Sequence, residues 1–137
     1  MNIDSIQNGV VIDHITAGRG MTLYHMLGLD EIDCPVAIIT NAGSKRMGKK
    51  DIIKVDADID INVDVVGYVD PGATVNIIKN SLLIEKFNPA LPSILTNVLK
   101  CKNPRCVTAV EQEINHIFKL TDKDNRVYRC LYCETKH

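Results

Sequence analysis

The residues best equipped for chemistry lie in the last third of the sequence. Cys101, Cys106, Cys130 and Cys133 form two short-spaced pairs, C-K-N-P-R-C and C-L-Y-C, separated by 23 residues. Asn103-Pro104 favours a tight turn inside the first pair. Two such knuckles brought together offer four thiolates at the corners of a tetrahedron, the arrangement of a closed structural zinc site with zinc–sulfur bonds of about 2.3 Å. Four cysteines leave no position for water, so the metal would hold the fold and perform no chemistry. The competing readings are a redox pair at Cys130/Cys133 and two disulfides. The redox motif follows a strand in a thioredoxin-like unit, a pattern not found before Cys130. The paired knuckles favour one structural zinc ion per chain.

Outside the cysteines the chemistry-bearing residues are fewer and quieter. His14, His25, His116 and His137 are scattered, and only His14 sits beside a carboxylate, Asp13, in an otherwise apolar run. That pair reads either as a strand end emerging into solvent or as an acceptor and a donor offered to a ligand at a sheet edge. Lys54 interrupts the strand-like I-I-K-V, where an unpaired buried charge is costly. Its stem either snorkels to solvent or awaits an anionic partner, and Lys86 in I-E-K-F poses the same choice. The loop M-G-K-K lacks the G-x-x-x-x-G-K-[ST] frame of a P-loop. With no nucleophile beside a base, no acid/base pair and no open metal position, an enzyme is the weakest reading.

The elements that must position these residues follow from periodicity. Gly9–Ile15 is a β-branched, buried strand with a polar pair near its end. Ala17–Gly28 carries a helical apolar stripe entered and left through glycines. Pro35–Thr40 is a second strand, Asn41–Lys50 a polar basic loop, and Asp51–Val55 a third strand. The segment 56–70 starts with strand-like alternation, yet Asn62 is placed to cap a helix from Val63 with Val66 and Val69 inward. Ala73–Ile78 and Leu82–Phe87 are strands joined by the turn Lys79-Asn80-Ser81. With helix at 63, the order through Ile78 is βαββαβ, the ferredoxin-like arrangement, extended by one strand. The run N-P-A-L-P at 88–92 breaks regular structure and divides an α+β domain, 1–92, from a small all-β zinc domain, 93–137. In the latter a short strand from Ile94 delivers Cys101, residues between the cysteine pairs alternate polar and apolar, and Thr121–Asn125 is a hairpin turn. So few apolar residues would leave that module dependent on its metal to fold.

Composition bounds the remaining classes. The chain has 137 residues, is 45% apolar, and contains two Phe and no Trp, so Ile, Val and Leu must fill the core. Its net charge of −1 argues against a protein that coats nucleic acid. Residues 1–94 carry 8 Lys/Arg against 12 Asp/Glu, and residues 95–137 carry 8 against 5. That positive excess keeps a nucleic-acid-binding zinc ribbon in view, but no basic–aromatic face lies between the cysteines. The opening M-N-I-D-S-I lacks a basic n-region and a long apolar run. No stretch approaches the ~20 apolar residues of a membrane span. Together with the metal-spaced cysteines and a leftover Cys34, this reads as a soluble cytoplasmic protein without a membrane partner.

Four blocks occur in a distinctive order: G-V-V-I-D-H-I at 9–15, M-G-K-K-D-I-I-K-V at 47–55, A-T-V-N-I-I at 73–78, and the C-x4-C…C-x2-C frame. Over nearly the whole chain this resembles the regulatory chain of aspartate carbamoyltransferase. The resemblance implies a non-catalytic subunit that controls pyrimidine biosynthesis. Its N-terminal domain would bind nucleotide effectors, CTP and ATP, with UTP in some members. Its C-terminal zinc domain would grip the catalytic chain, and regulatory chains would pair as homodimers within a hetero-oligomer. Carried over by residue, the effector site comprises Ile6, Val11, Asp13, His14, Lys50, Lys54, Asn76, Ile78 and Lys86, with Lys54 on ribose and base and Lys86 on phosphates. Ser81 stands where the family often carries a tyrosine after the turn. Exposed apolar residues of the first helix or second strand are expected to make the dimer contact, since Cys34–Ile39 would otherwise leave a sheet edge unpaired.

Overall fold

The first apolar run, β1 (Gly9–Thr16), is the middle strand of a five-stranded antiparallel sheet. The computed structural model describes residues 6–137, so the leader reading of Met1–Ser5 lies outside the described residues. The chain divides into two compact units, one ending at Leu91 and one spanning Pro92–His137. In the first unit β1 is followed by α1 (Gly20–Met26), β2 (Val36–Ser44), β3 (Gly48–Val55), α2 (Val63–Val69), β4 (Thr74–Lys79) and β5 (Leu82–Phe87). Strand order is β2-β3-β1-β4-β5, the ferredoxin-like order with an added edge strand.

Alternation along the strands sorts the residues onto two faces. Val10, Ile12 and Ile15 of β1, Ile53 and Val55 of β3 and Val75 of β4 are buried with Leu23 of α1 and with Val65 and Val66 of α2. The ambiguous 56–70 segment resolves as a helix, as anticipated, with Asn62 capping α2 by accepting from the Asp64 amide at 3.1 Å. Its inner face is Val65 and Val66, while Val69, expected inward, is only half-buried. Close approach of β1 to β3 explains Gly9, where a Cβ would run into the Val55 carbonyl.

In the first unit two elements differ from the sequence reading. The stretch Asn41–Lys50 is largely strand: β2 runs on to Ser44 and β3 begins at Gly48, leaving a turn of only three residues. A bulge after Ile39 makes this possible, with Asn41 at φ 57°. Its amide donates to Asp51 Oδ1 at 3.0 Å. The other oxygen of Asp51 accepts from Gly18 and Gly20 at 3.0 Å each, so one carboxylate, 1% exposed, fixes both the entry to α1 and the bend of β2. A carboxylate so buried is tolerable because amides surround it. Gly20 is required there, since an added Cβ would sit 2.8 Å from Asp51 Oδ2. The first helix is also shorter than its apolar stripe, with Gly18 (φ 97°) and Gly28 (φ 69°) just outside its ends.

The second unit is a three-stranded sheet in the order β6 (Ile94–Thr96), β7 (Ile117–Asp122), β8 (Val127–Cys130). A single-turn helix, α3 (Val107–Val110), occupies part of the inter-cysteine stretch that reads as alternating in the sequence. It starts directly after Cys106, and the Glu111 amide closes it by donating to the Val107 carbonyl at 2.8 Å. The apolar core here is Leu95, Leu99, Phe118 and Tyr128, with Cys106 and Cys130 beside them. The Tyr128 hydroxyl donates to the Pro92 carbonyl, tying the beginning of the unit to its last strand.

Candidate effector pocket and metal centre

On the sheet face opposite the first unit's buried core, register brings distant residues into one row. Val11 pairs with Lys54 on β3 and with Asn76 on β4, and Asn76 pairs with Lys86 on β5. Lys54, Val11, Asn76 and Lys86 therefore stand side by side across four strands, one residue from each. The lysines that interrupt apolar runs are thus neither buried nor misplaced; period two puts them on the uncovered face. Asn76 Nδ2 donates to the Val11 carbonyl at 3.1 Å, which fixes its amide within the row.

A pocket of about 370 Å³ opens on this face. Its wall includes Ile6, Val11, Asp13, Lys54 and Ile78, five of the residues anticipated for the site. It also includes Ser81, singled out as standing where the family often carries a tyrosine, and Ile52 and Leu83, which were not anticipated. Ser81 reaches the wall through a turn in which both Asn80 (φ 52°) and Ser81 (φ 64°) are left-handed, as a two-residue hairpin connection requires. The turn is pinned from outside: the Ser81 amide donates to Gln7 O at 2.9 Å and the Asn80 amide to Asn8 Oδ1 at 3.1 Å. Leu83 faces the pocket because a bulge between Ile77 and Ile78 shifts its register, which no alternation rule reveals. Asn76, Lys50, Lys86 and His14 lie outside the wall itself.

The Asp13-His14 pair sits at a third bulge of this unit, between Ile12 and Ile15, with His14 at φ 56°. Such bulges re-aim side chains. Asp13 Oδ1 accepts from the His14 amide at 2.6 Å and from Lys50 Nζ at 2.9 Å. Burial pushes the Asp13 carboxyl up, but the Lys50 ammonium, the His14 amide and the charge of its neighbours outweigh it, and the group is held below the ordinary carboxylate value. The pocket thus has the Asp13 carboxylate and Lys54 in its wall, with Lys50 outside it paired to Asp13 and Lys86 at the end of the row.

In the second unit the four Sγ atoms of Cys101, Cys106, Cys130 and Cys133 lie within 4.8 Å of one another. Cys101 and Cys133 approach to 3.5 Å, and Cys106 and Cys130 to 3.7 Å. A tetrahedral ion with bonds of about 2.3 Å sets its sulfurs about 3.8 Å apart, so the spacing fits. A disulfide needs about 2.05 Å, and all four cysteines are free thiols. The first knuckle is a turn on Asn103, whose side chain accepts from the Arg105 amide and whose carbonyl accepts from the Cys106 amide. The second closes where the Glu134 amide donates to the Cys130 carbonyl. Thr108 donates its hydroxyl to Cys106 Sγ at 3.1 Å, and Thr135 Oγ1 lies 3.2 Å from Cys133 Sγ.

These contacts divide the thiols. Burial pushes Cys101 up to about 12 and raises Cys130 as well. The Thr135 hydroxyl and amide bring Cys133 down to about 6, and those of Thr108 lower Cys106. Four thiolates this close coexist only around a cation. The cluster is a site for one metal ion with every corner filled by sulfur.

Comparison with known proteins follows the same division. Residues 1–90 match the family described as aspartate carbamoyltransferase regulatory chain, allosteric domain, and residues 93–137 its metal-binding domain. The class is therefore a two-domain, non-catalytic regulatory chain, allosteric domain first and metal-binding domain second. Proteins named aspartate carbamoyltransferase regulatory chain from Clostridium botulinum and Clostridium acetobutylicum are each 48% identical over 134 residues, covering 98% of this chain and 92% of theirs. One from Bifidobacterium longum is 43% identical, covering 98% of this chain and 96% of its own. The chain belongs to the aspartate carbamoyltransferase regulatory chain family.

Proposed function

We propose that the first domain binds nucleotide effectors, CTP and ATP with UTP as a further ligand, and that the second transmits their effect to a catalytic chain of aspartate carbamoyltransferase. The observation carrying this reading is the row Lys54–Val11–Asn76–Lys86 beside the Asp13-lined pocket. Lys54 and Lys86 supply point charges for ribose, base and phosphate oxygens, and Lys50 extends the charge toward phosphates or a second nucleotide. Asp13 and His14 present an acceptor and a donor, while Ile6, Val11 and Ile78 give a base an apolar bed. Ser81 leaves that bed open where a larger side chain would close it. The proposed boundary between the domains is residue 92.

In the second domain one structural Zn(2+) is held by Cys101, Cys106, Cys130 and Cys133. All-sulfur tetrahedral coordination suits zinc, which contributes folding energy and offers no open position. Exposed Val110, Leu131 and Tyr132 give this module apolar surface for the catalytic chain. A homodimer of regulatory chains within the hetero-oligomer would cover the edge of β2, where Val36–Ile39 are half-buried. Among the described residues no helix is long and apolar enough to cross a membrane, and the chain's place in this reading is the cytoplasm, in pyrimidine biosynthesis. A nucleotide acts at a distance only by binding two quaternary states with different affinity. Co-expression with the catalytic chain, followed by activity assays with and without CTP and ATP, tests the whole. Failure to co-purify, or activity indifferent to both nucleotides, refutes it.

A further inference from the structure

Beside the pocket the structure holds a hydrogen-bonded chain with a determinable direction. Asn88, the first residue after β5, places its Nδ2 2.9 Å from the Ala73 carbonyl and 3.1 Å from Thr74 Oγ1. A carbonyl only accepts, so the Ala73 contact assigns the NH2 to that side of the amide. The same NH2 therefore donates its second hydrogen to Thr74. Thr74, only 5% exposed, has one hydrogen left, and His14 Nδ1 lies 3.2 Å from its oxygen. Donation from Asn88 thus favours donation from Thr74 to His14, which makes Nδ1 an acceptor.

We propose that Thr74 and Asn88 are positioning residues of the effector pocket: through the Asn88–Thr74–His14 chain they hold His14 as the neutral tautomer with hydrogen on Nε2. His14 then meets a ligand oxygen as a donor, without rearrangement on binding. The left-handed backbone at His14 contributes, because its amide donates to the Asp13 carboxylate while its ring meets Thr74. Asn88 also begins the run that leads to the second unit, so a ligand seated on His14 bears on the start of the connecting segment. The ligand half of this proposal rests on the nucleotide reading above; the tautomer half stands apart from it.

The test uses the full zinc-loaded chain with nitrogen-15-labelled histidine, His14 signals being assigned by their loss in His14→Gln. The wild type should show a protonated Nε2 and an unprotonated Nδ1 at neutral pH. Asn88→Asp replaces the donor by an acceptor: Thr74 turns its hydroxyl toward position 88, and His14 donates from Nδ1, inverting the tautomer. Thr74→Val should leave a mixture, and Thr74→Ser should restore the wild-type pattern. In calorimetric titrations, Asn88→Asp and Thr74→Val should weaken CTP and ATP binding by roughly 5-fold, the scale of one hydrogen bond. Thr74→Ser should bind as the wild type does. Wild-type His14 with hydrogen on Nδ1, or one tautomer in all variants, overturns the proposal. Inverted tautomers with unchanged nucleotide affinity overturn its ligand half. If the wild type binds neither nucleotide, the nucleotide reading falls and the spectra still decide the tautomer.

Discussion

The two domains solve the same folding problem with different means. The first buries Ile, Val and Leu from three sheet strands and two helices, each fully buried side chain contributing about 1.5–3 kcal/mol. The second has only Leu95, Leu99, Phe118 and Tyr128 before its cysteines are reached. A unit that small seldom holds together on apolar burial alone. In the first domain the core carries the fold, and the opposite sheet face is free to vary its chemistry. In the second, four cysteines positioned to hold one metal ion adjoin a core of only a few apolar side chains. The pocket-facing residues of the first domain thus stand on a sheet face that its buried core does not use.

The sharpest way to break this contrast is at the metal. Cys106→Ala or Cys130→Ala should abolish zinc retention and unfold residues 92–137, since structural zinc is worth on the order of 10–16 kcal/mol of binding in small modules. Amide exchange should then rise throughout the second domain and stay slow in β1, β3 and β4. Metal analysis with domain-resolved exchange checks both halves, and a folded second domain without metal would end the comparison. Removing the metal from the wild type with a strong chelator should reproduce the pattern and prevent assembly with the catalytic chain.

On the first domain the effects should be smaller and leave the fold alone. Lys54→Ala or Lys86→Ala should weaken CTP or ATP binding by at least about 1 kcal/mol each, with no change in thermal unfolding. Titration calorimetry beside a melting curve separates the two, and unchanged affinity in both variants would remove the row from the site.

The smallest expected effect concerns Asp13. Its carboxyl is held below the ordinary value of 3.8 in the folded chain, so its ionic partnership with Lys50 stabilises the fold above that pH and fades as pH falls through the folded value. The stability difference between wild type and Asp13→Asn should be constant from neutral pH down to about 5 and shrink below 3.8. A difference that grows on acidification would reverse the assigned sign.

Legibility in the sequence followed the range of the interaction. The cysteine knuckles could be read because each is closed within a few residues by turn chemistry, as Asn103 demonstrates. Asn62 announced α2 for the same reason. Lys54 and Lys86 stood out as cations in apolar runs, but their presence in one row depends on three strand registers that no local pattern contains. Ile52 and Leu83 were missed, and Ser81 was noted only as a departure from the family. Ile52 looks like any core isoleucine until its parity relative to the buried Ile53 is counted. Ser81 and Leu83 reach the pocket through a left-handed turn and a bulge, both decided by tertiary contacts. The long β2–β3 hairpin was hidden because Asp51, ten residues from Asn41, supplies the acceptor that lets a polar stretch continue as strand.

A row built from one residue per strand gives the candidate site an arithmetic that a contiguous motif lacks. Stepping by one residue along β1, β3 or β4 crosses from the ligand side to the core side, as Lys54 lies between buried Ile53 and Val55. A saturation scan scored for nucleotide response and, separately, for protein abundance should split these strands by odd and even position. Response-sensitive sites would alternate with abundance-sensitive ones until a bulge is met. Past the bulge at Asp13-His14 on β1 the alternation should slip by one. The phase of that signal would map the sheet's irregularities without a coordinate being measured.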